Sequence, residues 1–133
     1  SGALRYVEEI ASGSQYEGRK DLGNTQQGDG VRFKGRGFIQ LTGRANYTKF
    51  NEYDLCIEDV VAHPEKVAEF PLNQIASMWF WQTHGLNELA DRDDGGKMGD
   101  DICRQITKKV NGGTNGLANR LYLYRRFKKE FGL

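Results

Sequence analysis

Between residues 11 and 37 the chain carries seven glycines, at Gly13, Gly18, Gly23, Gly28, Gly30, Gly35 and Gly37, and very few aliphatic residues. Such a stretch can sustain neither the 3.6-residue apolar period of a helix nor the two-residue alternation of a half-buried strand. It reads as one long loop, with a short strand around Val31 to Phe33 at most. Irregular segments of this length within a small domain are usually functional or disordered. Tyr16, Glu17, Arg19, Asp29, Arg32, Phe33 and Arg36 favour a functional segment. With seventeen glycines and only two prolines in 133 residues, the excess is positional and not that of a flexible linker.

The rest of the chain must build the core from short helices. Residues 3–10 are expected to form a helix or its last turns, with Leu4, Val7 and Ile10 inward. Phe38 to Leu41 is a short apolar run, followed by Thr42 as a helix cap and a helix from Gly43 to Tyr53 with Tyr47 and Phe50 on one side. Val60 and Val61 precede a His63–Pro64 turn, with Pro64 at the first position of a short helix. Pro71 opens the strongest helix, where Leu72, Ile75, Ala76, Met78, Trp79 and Phe80 are apolar nearly all round. Asp91 to Asp101 is a polar loop. Ile102, Ile106 and Val110 then repeat every four residues up to the stop at Asn111–Gly112–Gly113. In the last helix Leu117, Leu121, Tyr124, Phe127 and Phe131 make an apolar stripe, with Arg120, Arg125, Arg126, Lys128 and Lys129 mostly on the other faces. The fold class is mainly α, without βαβ alternation or internal repeats.

Nineteen basic and eighteen acidic residues leave a formal charge of +1. That balance lacks the basic excess of a nucleic-acid binder, so no nucleic-acid partner is expected. No apolar run approaches the ~20 residues that span a bilayer, so no stable membrane insertion is expected. The loop from Asp91 to Gly96 superficially resembles a calcium loop, but Gly95 and Ile102 stand where ligands belong. Gly35–Arg36–Gly37 lacks the lysine and sheet context of a phosphate cradle. His63 and His84 have no metal-ligand spacing around them, so no metal and no cofactor are expected. The basic last helix could meet an anionic surface, or simply present a solvated face opposite an apolar stripe. Cys56 and Cys103 are expected to be free, mostly buried thiols, in keeping with synthesis in the cytoplasm.

Glu8, Glu9 and Glu17 stand before and within the glycine-rich segment, and Gln40, Asn46 and Asn111 at the edges of glycine turns. Carboxylates with amides along an open groove suit glycoside chemistry, where acids and bases act on the linkage and amides bind hydroxyls and acetamides. At residues 30–47 the string Gly-Val-Arg-Phe-Lys-Gly-Arg-Gly-Phe-Ile-Gln-Leu-Thr-Gly-Arg-Ala-Asn-Tyr resembles the signature of glycoside hydrolase family 19, which comprises chitinases and related bacteriophage endolysins. Ala76 to Trp81, Ile106 to Gly113 and Asn115 to Arg120 resemble three further motifs of that family, in order along essentially the whole chain.

The resemblance implies a mainly α, lysozyme-like fold with a long glycine-rich groove loop and little or no β structure. It also implies inverting hydrolysis of β-1,4-linked N-acetylhexosamine polymers, with a general acid and a general base about 6.5–9.5 Å apart. Glu9 matches the base, and Thr42 the hydroxyl that helps hold the nucleophilic water. Gln40, Asn46 and Asn111 match amides that bind the sugar. Arg120 matches a groove-side arginine that can pair with an active-site carboxylate and lower its pKa. Glu17 keeps a secondary catalytic claim, set against a loop-anchoring salt bridge to Arg19 or Arg36.

Ser1–Gly2 matches the second half of the family's His-Glu-Ser/Thr-Gly motif, which puts the expected general acid immediately before Ser1. Three readings stay open: residues 1–133 are a single catalytic domain lacking its N-terminal helices, another acid such as Glu8 or Glu17 substitutes, or the chain is a non-catalytic glycan-binding relative. The motif order resembles the phage and prophage branch. The expectation is therefore a monomeric endolysin made in the cytoplasm without a visible signal peptide, acting on peptidoglycan in the wall or periplasm. Chitin is the alternative substrate.

Overall fold

A computed structural model describes residues 7–96 and 98–133. The chain divides into two compact units, Ser1–Phe80 and Trp81–Leu133. Six α-helices occur among the described residues: α1 (Asp29–Arg32), α2 (Arg44–Asn51), α3 (Leu72–Thr83), α4 (Leu86–Ala90), α5 (Met98–Asn111) and α6 (Leu117–Phe131). Extended structure among them consists of isolated bridge residues, Glu8, Arg36, Leu41 and Glu69, with Glu8 to Arg36 and Arg36 to Leu41 paired antiparallel. The mainly α class holds.

The first unit is centred on Phe33, Leu41, Tyr47, Phe50, Val60, Val67, Leu72, Ala76 and Trp79. Phe33 and Tyr47 meet with ring centroids 5.2 Å apart, and Phe50 and Trp79 with centroids 5.5 Å apart, both tilted as aromatic quadrupoles prefer. As the spacing predicts, Tyr47 and Phe50 share the buried side of α2, and Leu72, Ala76 and Trp79 the buried side of α3. Met78 is exposed, so α3 is not buried all round. The helix starts at Leu72, one residue after the expected Pro71. Pro64 opens a 3-10 turn over Pro64–Ala68.

Three local expectations are corrected. Over residues 7–10 the chain is not helical: Val7 N–H donates to Ala68 O (3.0 Å) and Glu9 N–H to Gly35 O (2.8 Å), pairings that a helix would forbid. The remainder of that expected helix, with Ser1 and Gly2, lies outside the described residues. Val31 to Phe33 is not a strand; Val31 and Arg32 belong to α1, and Phe33 ends it with its N–H on Asp29 O (2.9 Å). Thr42 does not cap α2. Gly43 occupies the cap position at φ 93°, where a Cβ would stand 2.6 Å from Leu22 O. The helix's first amide, Arg44 N–H, is taken instead by Asn24 Oδ1 (2.8 Å).

The segment expected as loop is a succession of short turns: 3-10 helices at Ser14–Tyr16 and Lys20–Leu22, then α1. Buried polar side chains hold it. Asp29, 1% exposed, accepts two bonds from Arg44 and one from Gln26 N–H. Asn24, fully buried, donates to Tyr16 O (2.9 Å) while accepting from Arg44 N–H. Buried polar groups without partners are costly, so these contacts fix the path as firmly as apolar packing would.

In the second unit α5 packs against α4 and α6. It ends at Asn111 before Gly112 at φ 75°, as the glycine stop predicts. Leu117, Leu121 and Tyr124 are half-buried, but no residue of α6 is buried, and Phe127 and Phe131 are exposed. The expected single inward stripe therefore covers only part of that helix. Cys56 and Cys103 are both free and half-buried, and burial is the first cause that raises each thiol's pKa.

Candidate active site

Glu9 follows the Glu8–Arg36 bridge, so its carboxylate is set by backbone pairing before any side-chain contact. Its Oε1 accepts from Gln15 Nε2 (3.1 Å) and Tyr16 OH (3.0 Å), and its Oε2 accepts from Gly35 N–H (3.1 Å). Three donors on one carboxylate fix both its position and its plane. Desolvation, and then the Glu9 charge, raise the Tyr16 phenol above its ordinary pKa, so the hydroxyl keeps the proton it donates.

Behind Glu9 lies a second layer. Glu8 Oε1 pairs with Lys34 Nζ (2.9 Å) and Arg36 Nη2 (3.3 Å). Arg36 is buried, and its Nη1 donates to Arg32 O (2.9 Å) and to the Tyr47 hydroxyl (3.1 Å). Tyr47 OH donates onward to Lys34 O (2.8 Å), and burial pushes its pKa up to about 12. Lys34 Nζ also donates to Glu9 O (3.2 Å). Glu8 is thus committed to two cations, and this paired network supports the extended segment that carries Glu9.

The site's focus is the face of Gly35. A Cβ there would stand 2.7 Å from Gln40 Oε1, 3.1 Å from Glu9 Oε2 and 3.3 Å from Thr42 Oγ1. Three oxygens from three chain positions therefore converge over a backbone left bare for want of a side chain. Gln40 reaches it from the left-handed region, at φ 57°, unusual for a residue other than glycine. Its Nε2 donates to Gly37 O (3.0 Å), which turns Oε1 toward Gly35. Thr42 Oγ1 donates to Gln40 O (2.9 Å), so its lone pairs are left to accept. Freed from capping α2, Thr42 can serve this cradle.

The remaining expected site residues are placed as follows. Asn46 Nδ2 donates to Thr42 O (2.8 Å), at the start of its own helix. Glu17 has both oxygens on backbone amides, Oε1 accepting from Gly28 N–H (2.7 Å) and Oε2 from Gly30 N–H (2.8 Å). It anchors the entry to α1 through amides and not through Arg19, which pairs with Asp21, or Arg36, which pairs with Glu8. Asn111 and Arg120 belong to the second unit, where both donate to Asn115 O, at 2.9 Å and 2.6 Å. Among the described residues no group of three or more His, Cys, Asp or Glu could hold a metal ion.

Gln15 and Gly35 are parts of this site that residue types alone do not single out, and Tyr16 is legible only as one aromatic residue of a functional segment. The only trace in the sequence is the pair of glycines around Arg36. The link from Tyr16 to Glu9 depends on the turn at Ser14–Tyr16, which has no periodic signature.

No protein-family model matches the chain. Over 120 residues, 88% of its length, it is 31% identical to a protein of Haemophilus influenzae named "Glycosyl hydrolase family 19 domain-containing protein". The chain spans about half that relative's length, 52%. This likeness supports family 19 at the level of the family.

Proposed function

We propose that the chain is a family 19 glycoside hydrolase domain that cleaves β-1,4-linked N-acetylhexosamine strands of peptidoglycan, in the manner of an endolysin, with inversion at the anomeric carbon. The observation that carries this reading is the convergence of Glu9 Oε2, Gln40 Oε1 and Thr42 Oγ1 over Gly35. All three are acceptors. A water seated there donates one proton to Glu9 and the other to Gln40 or Thr42, which leaves an oxygen lone pair free to attack. As the sugar–oxygen bond breaks, Glu9 takes the water's proton and the lone pair forms the new bond from the opposite face of the ring.

The donors on Glu9 act as orienting groups. Gln15 and Tyr16 occupy Oε1, so Oε2 faces the cradle with one remaining acceptor direction beside Gly35 N–H. Gln40, Asn46, Asn111 and Arg120 are proposed to bind the glycan through its hydroxyls and acetamides. The leaving oxygen is protonated by a general acid on the other side of the sugar ring from Glu9.

The test isolates the base from that acid. A chitooligosaccharide with a β-fluoride leaving group needs no protonation to depart, so its hydrolysis depends on the water and Glu9. The 133-residue chain is expected to release the α-anomer, and Glu9→Gln to lower the rate by ~10²–10⁴-fold while glycan binding persists. Undiminished hydrolysis by Glu9→Gln overturns the assignment of the base. Release of the β-anomer overturns inversion. Parallel assays on peptidoglycan and chitin decide the substrate, with peptidoglycan expected to be the better one.

A further inference from the structure

The surface of α6 departs from what its sequence pattern calls for. Leu117, Leu121 and Tyr124 make one half-buried stripe. A second stripe, Leu123, Phe127 and Phe131, recurs every four residues and so lies along one face. It is 40%, 55% and 72% exposed. The Phe127 and Phe131 rings stack on each other, with centroids 6.4 Å apart and planes within 20°. Large aromatic side chains stacked side by side in water form a patch, and contiguous exposed apolar patches commonly mark interaction sites.

Charge is concentrated on the same helix. Residues 117–133 hold five basic side chains and one acidic, a formal +4, while residues 1–116 hold fourteen basic and seventeen acidic, a formal −3. Arg125 is held by a forked pairing with the half-buried Asp100, while Arg126 is well exposed and so is its partner, Glu130. Exposed ion pairs of this kind contribute little and exchange readily for other anions. Lys128 is turned inward, donating to Gly95 O (2.6 Å), and Lys129 is exposed.

Exposed aromatics on a helix that also carries exposed arginine and lysine fit an anionic bilayer surface: rings settle at the acyl boundary while long cationic side chains reach up to phosphates. No helix among the described residues is long and apolar enough to cross a membrane. We infer that α6 docks the protein on an anionic phospholipid bilayer, lying in the plane of the interface with Leu123, Phe127 and Phe131 toward the acyl chains and Arg126 and Lys129 reaching the phosphates from the rest of its exposed surface. The inference is independent of the hydrolase reading, since it uses none of the groups around Gly35.

Co-sedimentation of the 133-residue chain with vesicles tests it. Vesicles of equal parts phosphatidylglycerol and phosphatidylcholine are expected to bind the protein, and pure phosphatidylcholine vesicles to leave it in solution. Raising the salt weakens the association, because the cations act through a screened field. The double variant Arg126→Glu/Lys129→Glu is expected to bind about tenfold more weakly or worse. Phe127→Ser/Phe131→Ser is expected to lose binding to a similar degree. All four positions are exposed, and circular dichroism is expected to show unchanged helix content in both variants. The inference is overturned if the chain ignores phosphatidylglycerol vesicles, or if neither double variant weakens binding. It is also overturned if the chain self-associates through Phe127 and Phe131 and binds no vesicle, in which case a second copy is the occupant.

Discussion

Residues 11–43 and residues 86–131 solve the same problem by opposite means. The second region is built from regular helices whose apolar side chains recur at helical spacing, and α5 ends where a glycine stops it. The first contains scarcely any regular structure, yet its backbone path is as closely specified. There the specifying groups are polar. Asn24 joins Tyr16 O to Arg44 N–H, Asp29 joins Gln26 to Arg44, and Glu17 joins Gly28 to Gly30. A helix can be placed by a stripe that tolerates sliding and exchange. A chain of turns needs each amide answered by one particular acceptor. That rigidity is what an active site requires, and the proposed site forms in the region built by such anchors.

Substitutions that sharpen the contrast differ widely in size. Phe50→Ala removes a fully buried ring from the first unit's core and is expected to cost about 3–5 kcal/mol in thermal or denaturant unfolding. Gly35→Ala separates function from stability. The nearest atom to the new methyl, Gln40 Oε1 at 2.7 Å, is the end of a flexible side chain that can move aside. Unfolding should shift by about 1 kcal/mol or less, while hydrolysis of the fluoride substrate falls about 10²-fold as the acceptors lose their places.

Asp29→Asn tests whether the polar anchors bear stability. It breaks the two-bond pairing with Arg44 and should cost about 2–3 kcal/mol near neutral pH. Arg44 holds the Asp29 carboxyl below its ordinary range despite desolvation. A carboxylate depressed in the folded state stabilises fully above its unfolded pKa of about 3.9, and the contribution fades as pH falls through the lower folded value. The stability curves of wild type and variant should therefore converge in acid and part above about pH 4. Curves that stay parallel throughout would show that the Asp29 charge is not what anchors the segment. Phe127→Ala should change unfolding by about 0.5 kcal/mol or less, since that ring is already 55% exposed. A large loss there would break the contrast by making α6 a core element.

The sequence discloses these two regions unequally, for the same physical reason. Ile102, Ile106 and Val110 announce α5 because burial repeats with the helix period, and its end at Asn111 follows; its start at Met98 does not, since the first turn lies in the stretch expected as the Asp91 to Asp101 loop. Tyr47 and Phe50 are legible in the same way. The failures gather where non-local polar contacts override local preference. Thr42 has the chemistry of a helix cap, but Asn24, twenty residues earlier in the chain, supplies that bond and Thr42 turns elsewhere. Phe33 and Asp29, read with a functional loop, are buried structural members. Glu9, Gln40 and Thr42 are legible through the family resemblance, but their convergence on Gly35 is not: its defining feature is a missing side chain, and only folding shows what fills the space around it.

One residue of the first unit points to a tension between endurance and activity. Gln40 sits at φ 57°, a strain of about 1–3 kcal/mol for a residue with a side chain. Glycine relieves it outright and asparagine in part, so a library selected only for survival on heating should drift to glycine or asparagine at position 40. Selected for glycan hydrolysis instead, the same library should return to glutamine, because only its longer amide reaches the Gly35 face while bonded to Gly37 O. The two selections would pull this position apart, and the gap between their winners would measure how much heat resistance the chain gives up for its chemistry.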